Sequence, residues 1–218
     1  KGIKTAAIYG AFIPNPMHVY RTAGVLAGLG LSYGGATTEE DVVGLIFADQ
    51  GIDLSKISGD IKIVSYLQGY GDTTTDEINA AIQAAPEAFI SVGMATTFFT
   101  QQLNAAGIEF SDIDSFTKSN GEAITNGKLV YLAGKYSSSV GPAFALVMNA
   151  INGNVIRDAQ GNAVSLSQNY QVATDSETFD KFYKNDNGDN PIYSRDTLDQ
   201  IIGDTVTFDT INEVVASN

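Results

Sequence analysis

Short apolar runs alternate with longer segments of helical period along most of the chain. Residues 4–9 (Lys-Thr-Ala-Ala-Ile-Tyr) form a brief, almost wholly apolar run of the kind found in strands buried on both faces. Pro16 suits a first helical turn and Asn15 a cap, so a small-residue helix is predicted over 19–29. Thr37-Thr38-Glu39-Glu40-Asp41 is a capping and acidic first-turn signature ahead of 42–48, read as a short helix although 42–47 alone would also suit a strand. A loop over 50–60 leads to a strand at 61–66. Thr74 or Thr75 caps a helix running through Ala85, and Pro86 stops it. Then come a strand at 88–92, a helix at 97–105 closed by Ala106-Gly107, and a strand at 108–115. A short helix at 120–126 and a strand at 129–133 follow, and Ser139 is the expected cap of an apolar helix that carries Pro142 and runs to Ile151. Strand–helix alternation of this kind predicts right-handed βαβ units and a parallel sheet.

Beyond Ile151 the pattern changes. A hairpin around Gln160-Gly161-Asn162, a strand over 165–173 and three short helices at 176–183, 194–202 and 207–215 are expected, with an acidic loop at 185–190. That loop has oxygen-bearing residues at alternate positions, as a calcium loop needs. Its sixth residue is Asn190 rather than Gly and its twelfth is Asp196 rather than Glu, so no metal site is assigned.

Composition narrows the chemistry. The chain has 218 residues, 44% of them hydrophobic, enough for one sizeable core or two small lobes. No apolar run approaches a membrane span, and Lys1 leads almost directly into a strand, so any export leader is expected to lie outside this chain. The net charge of −13 repels phosphate backbones and argues against nucleic acid as a partner. With no cysteine, thiol chemistry and disulfides are excluded, and the lone histidine, His18, leaves little for acid–base catalysis near neutrality. No G-x-S-x-G elbow or Walker loop is present, and Gly69-x-Gly71 lacks the third glycine of a dinucleotide fingerprint. The expected protein is not an enzyme and uses no cofactor.

Binding is better supplied. The predicted strand ends carry Asn15 and Arg21, Gln68, Tyr70 and Asp72, Met94, Asp114, and Lys135-Tyr136. In open α/β sheets ligands gather beyond the carboxyl ends of the strands. Amides, carboxylates, a guanidinium and aromatic faces are the groups that hold a polyhydroxylated solute.

The order of these pieces resembles the second lobe of the type I periplasmic sugar-binding proteins that serve ABC transporters. The likeness lies in the strand–loop–Arg-x-x-Gly helix at 8–24, the capped helix broken at Pro86, Ala106-Gly107, Gly127-Lys128-Leu129, and the helix over 140–153. It covers roughly residues 4–175. It implies an α/β, parallel-sheet, three-layer lobe of the periplasmic-binding-protein-like I class. The lobe would occupy 3–127, a strand–helix segment at 128–155 would complete a first lobe absent from the chain, and 156–218 would return to the second lobe with a helical tail.

The resemblance further implies an extracytoplasmic solute-binding protein, periplasmic or lipid-anchored at the cell surface, that captures a sugar or similar small polar solute in a cleft and delivers it to an ABC permease. Arg21 takes the place of the family's cleft arginine, Asp114 approximately that of its strand-end carboxylate, and Lys135 lies near its hinge polar residue. Where many members carry Asn-Asp, this chain has Val92-Gly93-Met94. The same fold also serves effector-sensing domains of lactose-repressor-like regulators and nucleoside-binding lipoproteins, which are the alternative readings. Segment 33–60 looks like an insertion. Self-association through 129–151 is expected, with Val140, Phe144, Val147 and Met148 partly uncovered.

Overall fold

The computed structural model describes residues 2–11, 15–68, 75–114, 116–135, 137–188 and 191–217. Tyr70, Asp72 and Tyr136 of the expected site lie outside the described residues.

The fold is α/β, with a mostly parallel six-stranded sheet flanked by helices. In chain order it comprises β1 (Thr5–Ala11), α1 (Pro16–Gly28), β2 (Ser32–Tyr33), α2 (Glu39–Asp49), β3 (Ile57–Ser58), β4 (Lys62–Gln68), α3 (Thr75–Gln83), β5 (Ala88–Ser91) and α4 (Ala95–Ala106). These are followed by β6 (Glu109–Ile113), α5 (Lys118–Thr125), β7 (Leu129–Gly134), α6 (Gly141–Ile151), β8 (Gln171–Ala173), α7 (Ser176–Asn187), α8 (Arg195–Asp199) and α9 (Phe208–Ala216). The sheet order is β4-β1-β5-β6-β7-β8, and the pairs β1/β4, β1/β5 and β5/β6 are parallel. Order reverses at β1, whose two neighbours are β4 and β5. Such a switch point leaves a crevice at the carboxyl ends of the strands, because right-handed crossovers on either side of it go to opposite faces.

The chain forms two compact units, Lys1–Leu132 and Ala133–Asn218. In the first, Ala6, Ile8, Val19, Ala23, Leu26 and Ile46 belong to one buried cluster that joins β1, α1 and α2. On β1, Tyr9 meets Phe99 of α4 edge to face, centroids 4.7 Å apart. The start of α1 is as expected, with Pro16 in its first turn and the Asn15 side chain accepting from the Met17 N–H. Segment 39–49 is helix rather than strand, since Thr38 caps it by accepting from the Asp41 N–H at 3.3 Å.

The apparent insertion is part of this core. Tyr33 on β2 pairs with Ile57 on β3, and its ring is fully buried beside Leu31, Val42 and Ile46. Its hydroxyl donates to Asp49 Oδ2 at 2.8 Å and accepts from the Asp53 N–H at 3.0 Å. Burial, more than the neighbouring carboxylates, pushes the Tyr33 phenol up to about 12. The 50–60 stretch, read from sequence as loop, therefore contains a strand and a 3-10 turn (Leu54–Lys56).

Four further expectations are corrected. Helix α5 starts at Lys118, capped by Thr117, because the Thr117 hydroxyl accepts from the Asn120 N–H. Ser139 does not cap α6; residues Ser137–Val140 form a 3-10 turn that runs straight into the helix, and Pro142 lies in its first turn. The hairpin near 160 is a turn closed by Asp158, which accepts from the Gln160 and Asn162 N–H groups. Only 171–173 of the expected strand at 165–173 pairs in the sheet, while Gln168 spends its amide on the Ser139 carbonyl.

Strand β7 lies next to β6 in the sheet, where the Phe110 N–H donates to the Lys128 carbonyl at 2.9 Å. In the second unit, α6 packs Ala145 against Tyr193, Ile201, Ile211 and Val215 of the tail. Asn149, fully buried, donates to the Ile201 carbonyl and accepts from the Gly203 N–H, both at 2.8 Å. The tail is thus the core partner of α6. Helix α7 extends to Asn187, so the first residues of the acidic run are its last turn and not a loop.

Candidate functional site

The polar groups converge where β1, β5 and β6 end. Gly10, next to last in β1, has φ +117, and a Cβ there would lie 3.1 Å from Val92 Cγ2 and 3.3 Å from the Gly93 nitrogen. Glycine lets β1 run close against the exit of β5. His18, in the first turns of α1, is buried, and its Nδ1–H donates to the Gly10 carbonyl. A carbonyl only accepts, so Nδ1 carries the hydrogen. This bond ties the start of α1 to the end of β1 and fixes where Arg21, one turn further on, can reach.

Arg21 reaches across the sheet end. Its NH1 donates to the Val92 carbonyl at 3.0 Å and to Asp114 Oδ2 at 2.7 Å, and its NH2 donates to Asp114 Oδ1 at 2.6 Å. The pair is bidentate, the strongest geometry for a guanidinium and a carboxylate. The Arg21 side chain is 11% exposed and that of Asp114 33%, so the carboxylate is the member turned to solvent. Asp114 also has φ +82, in the left-handed region that aspartate tolerates better than most residues.

Asp112, two residues earlier on β6, is buried among helix starts. Its Oδ2 accepts from the Thr96 N–H at 3.3 Å in the first turn of α4 and from Asn120 Nδ2 at 3.2 Å on α5. Its Oδ1 has no hydrogen-bond partner among the described residues. Burial pushes this carboxyl up to about 6, against the lowering effect of those donors. It anchors α4 from outside the helix, which matters because Met94 supplies no side-chain cap. Between them, the Ser91 hydroxyl donates to the Gly93 carbonyl at 2.5 Å and accepts from the Gly93 N–H at 3.1 Å, shaping the loop that presents the Val92 carbonyl.

Of the residues expected from sequence, Arg21 and Asp114 are brought together, with Asn15 at the start of the same helix. The Asn15 side-chain oxygen is engaged in capping. Met94 is half-buried at the start of α4, and Gln68 is exposed at the end of β4 with its amide against Gly51. Lys135 is exposed and belongs to the second unit. Sequence reasoning passed over Asp112. Its signal was period two: Phe110 and Asp112 share the buried parity of β6, so a carboxylate stands at a core position.

A separate cleft of about 640 Å3 runs along β4, lined by Leu54, Ile57, Ile61, Lys62, Ile63 and Ala84 among others. Of its lining side chains Lys62 is charged and Ser55 and Ser58 are polar, whereas the strand-end cluster sets a guanidinium against a carboxylate and is the better binding chemistry. Among the described residues no cluster of His, Asp and Glu could hold a metal ion, and no helix is long and apolar enough to cross a membrane. No protein-family model matches the chain, and no curated protein matches its sequence.

Proposed function

We propose that the chain is a solute-binding protein that takes a neutral, polyhydroxylated small molecule, a carbohydrate above all, at the carboxyl end of its sheet. The observation that carries this reading is the Arg21–Asp114 pair. Arg21 uses its guanidinium to hold Asp114 and the Val92 carbonyl, and the carboxylate, with lone pairs to spare, faces outward. An oriented carboxylate accepts hydroxyl donors and repels anions, and a chain of net charge −13 adds to that repulsion. Arg21 is a positioning residue and Asp114 is the ligand contact.

Binding without bond chemistry fits the neighbouring groups. The His18 ring and the Ser91 hydroxyl are both buried and bonded to backbone, which suits them to shaping the site rather than to proton transfer or nucleophilic attack. The likeness of the strand–loop–arginine helix extends the proposal to the periplasmic-binding-protein-like I fold. On that reading the chain is the extracytoplasmic substrate-binding component of an ABC importer, handing its solute to a permease.

The test is isothermal titration with neutral monosaccharides and disaccharides, and with sugar acids and sugar phosphates as controls. Binding of one or more neutral sugars, lost at least 100-fold in Asp114→Asn and absent for the anionic controls, is the expected result. Heat from the anionic set alone, or from no neutral sugar, overturns the proposal.

A further inference from the structure

Apart from the buried Asn149, helix α6 is apolar on every side. Gly141, Pro142, Ala145 and Asn149 are buried in the second unit, where a Cβ on Gly141 would come within 2.7 Å of Tyr193 Cβ. The opposite face exposes Val140 (68%), Phe144 (50%), Val147 (57%) and Ile151 (71%), with Ala143 and Ala150 exposed beside them. No charged residue occurs from Tyr136 through Ile156. A surface helix ordinarily turns a charged face to water, and one that is apolar all round calls for a cover on both sides. The second unit covers one side only.

We propose that a second copy of the chain covers the other. The exposed positions 140, 144, 147 and 151 are spaced four, three and four, the seam along which two helices interlock side chains. Small alanines flank the seam and let two helices approach closely. Two bodies of net charge −13 repel one another, and this uncharged stretch is where two copies can meet without opposing like charges. It also offers nothing that a charged partner would recognise. Side chains exposed to this degree present on the order of 500 Å2 per copy, so pairing buries about 1,000 Å2, the lower bound for a specific interface. The dimer is therefore reversible. In an antiparallel, two-fold arrangement Phe144 of one copy lies over Val147 of the other and Val140 over Ile151, so the seam is complementary to itself.

Sedimentation equilibrium of the full chain tests this, with far-UV circular dichroism and melting temperature confirming that each variant folds. A monomer–dimer equilibrium is expected, strengthened by salt because screening relieves the repulsion between copies. Phe144→Glu and Val147→Lys, both at exposed positions, should each leave a monomer. Mixed in equal amounts, they should recover the dimer, because Glu at 144 then faces Lys at 147. A clean monomer at about 0.5 mM, dimers that survive both variants, or a mixture that stays monomeric each overturns the proposal.

Discussion

Asp114 meets two demands at one position: a backbone at φ +82 and a carboxylate that takes both terminal nitrogens of Arg21. Alanine there would strain the backbone and remove the carboxylate that a largely buried guanidinium holds, whereas asparagine relieves the first problem and not the second. Asp114→Ala is expected to destabilise the protein by about 2 kcal/mol, and Asp114→Asn by less. A double-mutant cycle with Arg21→Ala, followed by urea unfolding, should give a coupling of about 1 kcal/mol or more. Additive single effects would show that the pair is not coupled.

Asp112 has the opposite character. Its folded carboxyl titrates near 6, above the ordinary 3.8, so the native state binds the proton more tightly than the unfolded chain. Its contribution to stability therefore falls as pH rises from about 4 through 6, by about 3 kcal/mol in all. Asp112→Asn should be more stable than the parent at pH 8 and should lose the gain in stability that the parent shows between pH 7 and pH 5. Urea unfolding at both values checks it, and an unchanged pH slope in the variant would refute it.

Among the elements, β1 and its two connections organise the first unit. Gly10 permits the contact with the β5 exit, and His18 ties α1 back to it. Gly10→Ala is expected to cost about 2 kcal/mol, from backbone strain and from a Cβ too close to Val92, read as a lower melting temperature. The β2–α2–β3 element depends on Tyr33 in a similar way. Tyr33→Phe keeps the ring but leaves the Asp53 N–H and Asp49 without the hydroxyl, a loss of about 1–2 kcal/mol. The caps of α1 and α2 could be read from the sequence because Asn15 and Thr38 act on residues two and three positions away. The two-residue strands could not, since a pair such as Tyr33 and Ile57 has no periodicity to detect.

For the molecule as a whole, the two units carry separate cores. Asn149 joins α6 to the tail through the Ile201 carbonyl and the Gly203 N–H. Asn149→Leu would leave both groups buried without partners, at a cost of about 2–4 kcal/mol confined to the second unit. Hydrogen exchange should show lost protection in α6 and α9 with β1, β5 and β6 unchanged. Uniform loss across the chain would mean that the units unfold as one.

The sequence by itself determined the strand–helix alternation, the parallel sheet, most helix positions and the residue types at the strand ends. Those follow from local propensity, caps and hydrophobic period, which act within a few residues. Tertiary structure decided what those residues do. Arg21 and Asp114 lie 93 positions apart, and only the switch in strand order at β1 brings the guanidinium onto the carboxylate. The same applies to Asp112, whose burial depends on helices that start elsewhere, and to the tail, whose apolar residues found their partner in α6. Side-chain pairing over such separations is set by packing, and packing is a property of the folded chain rather than of any stretch of it.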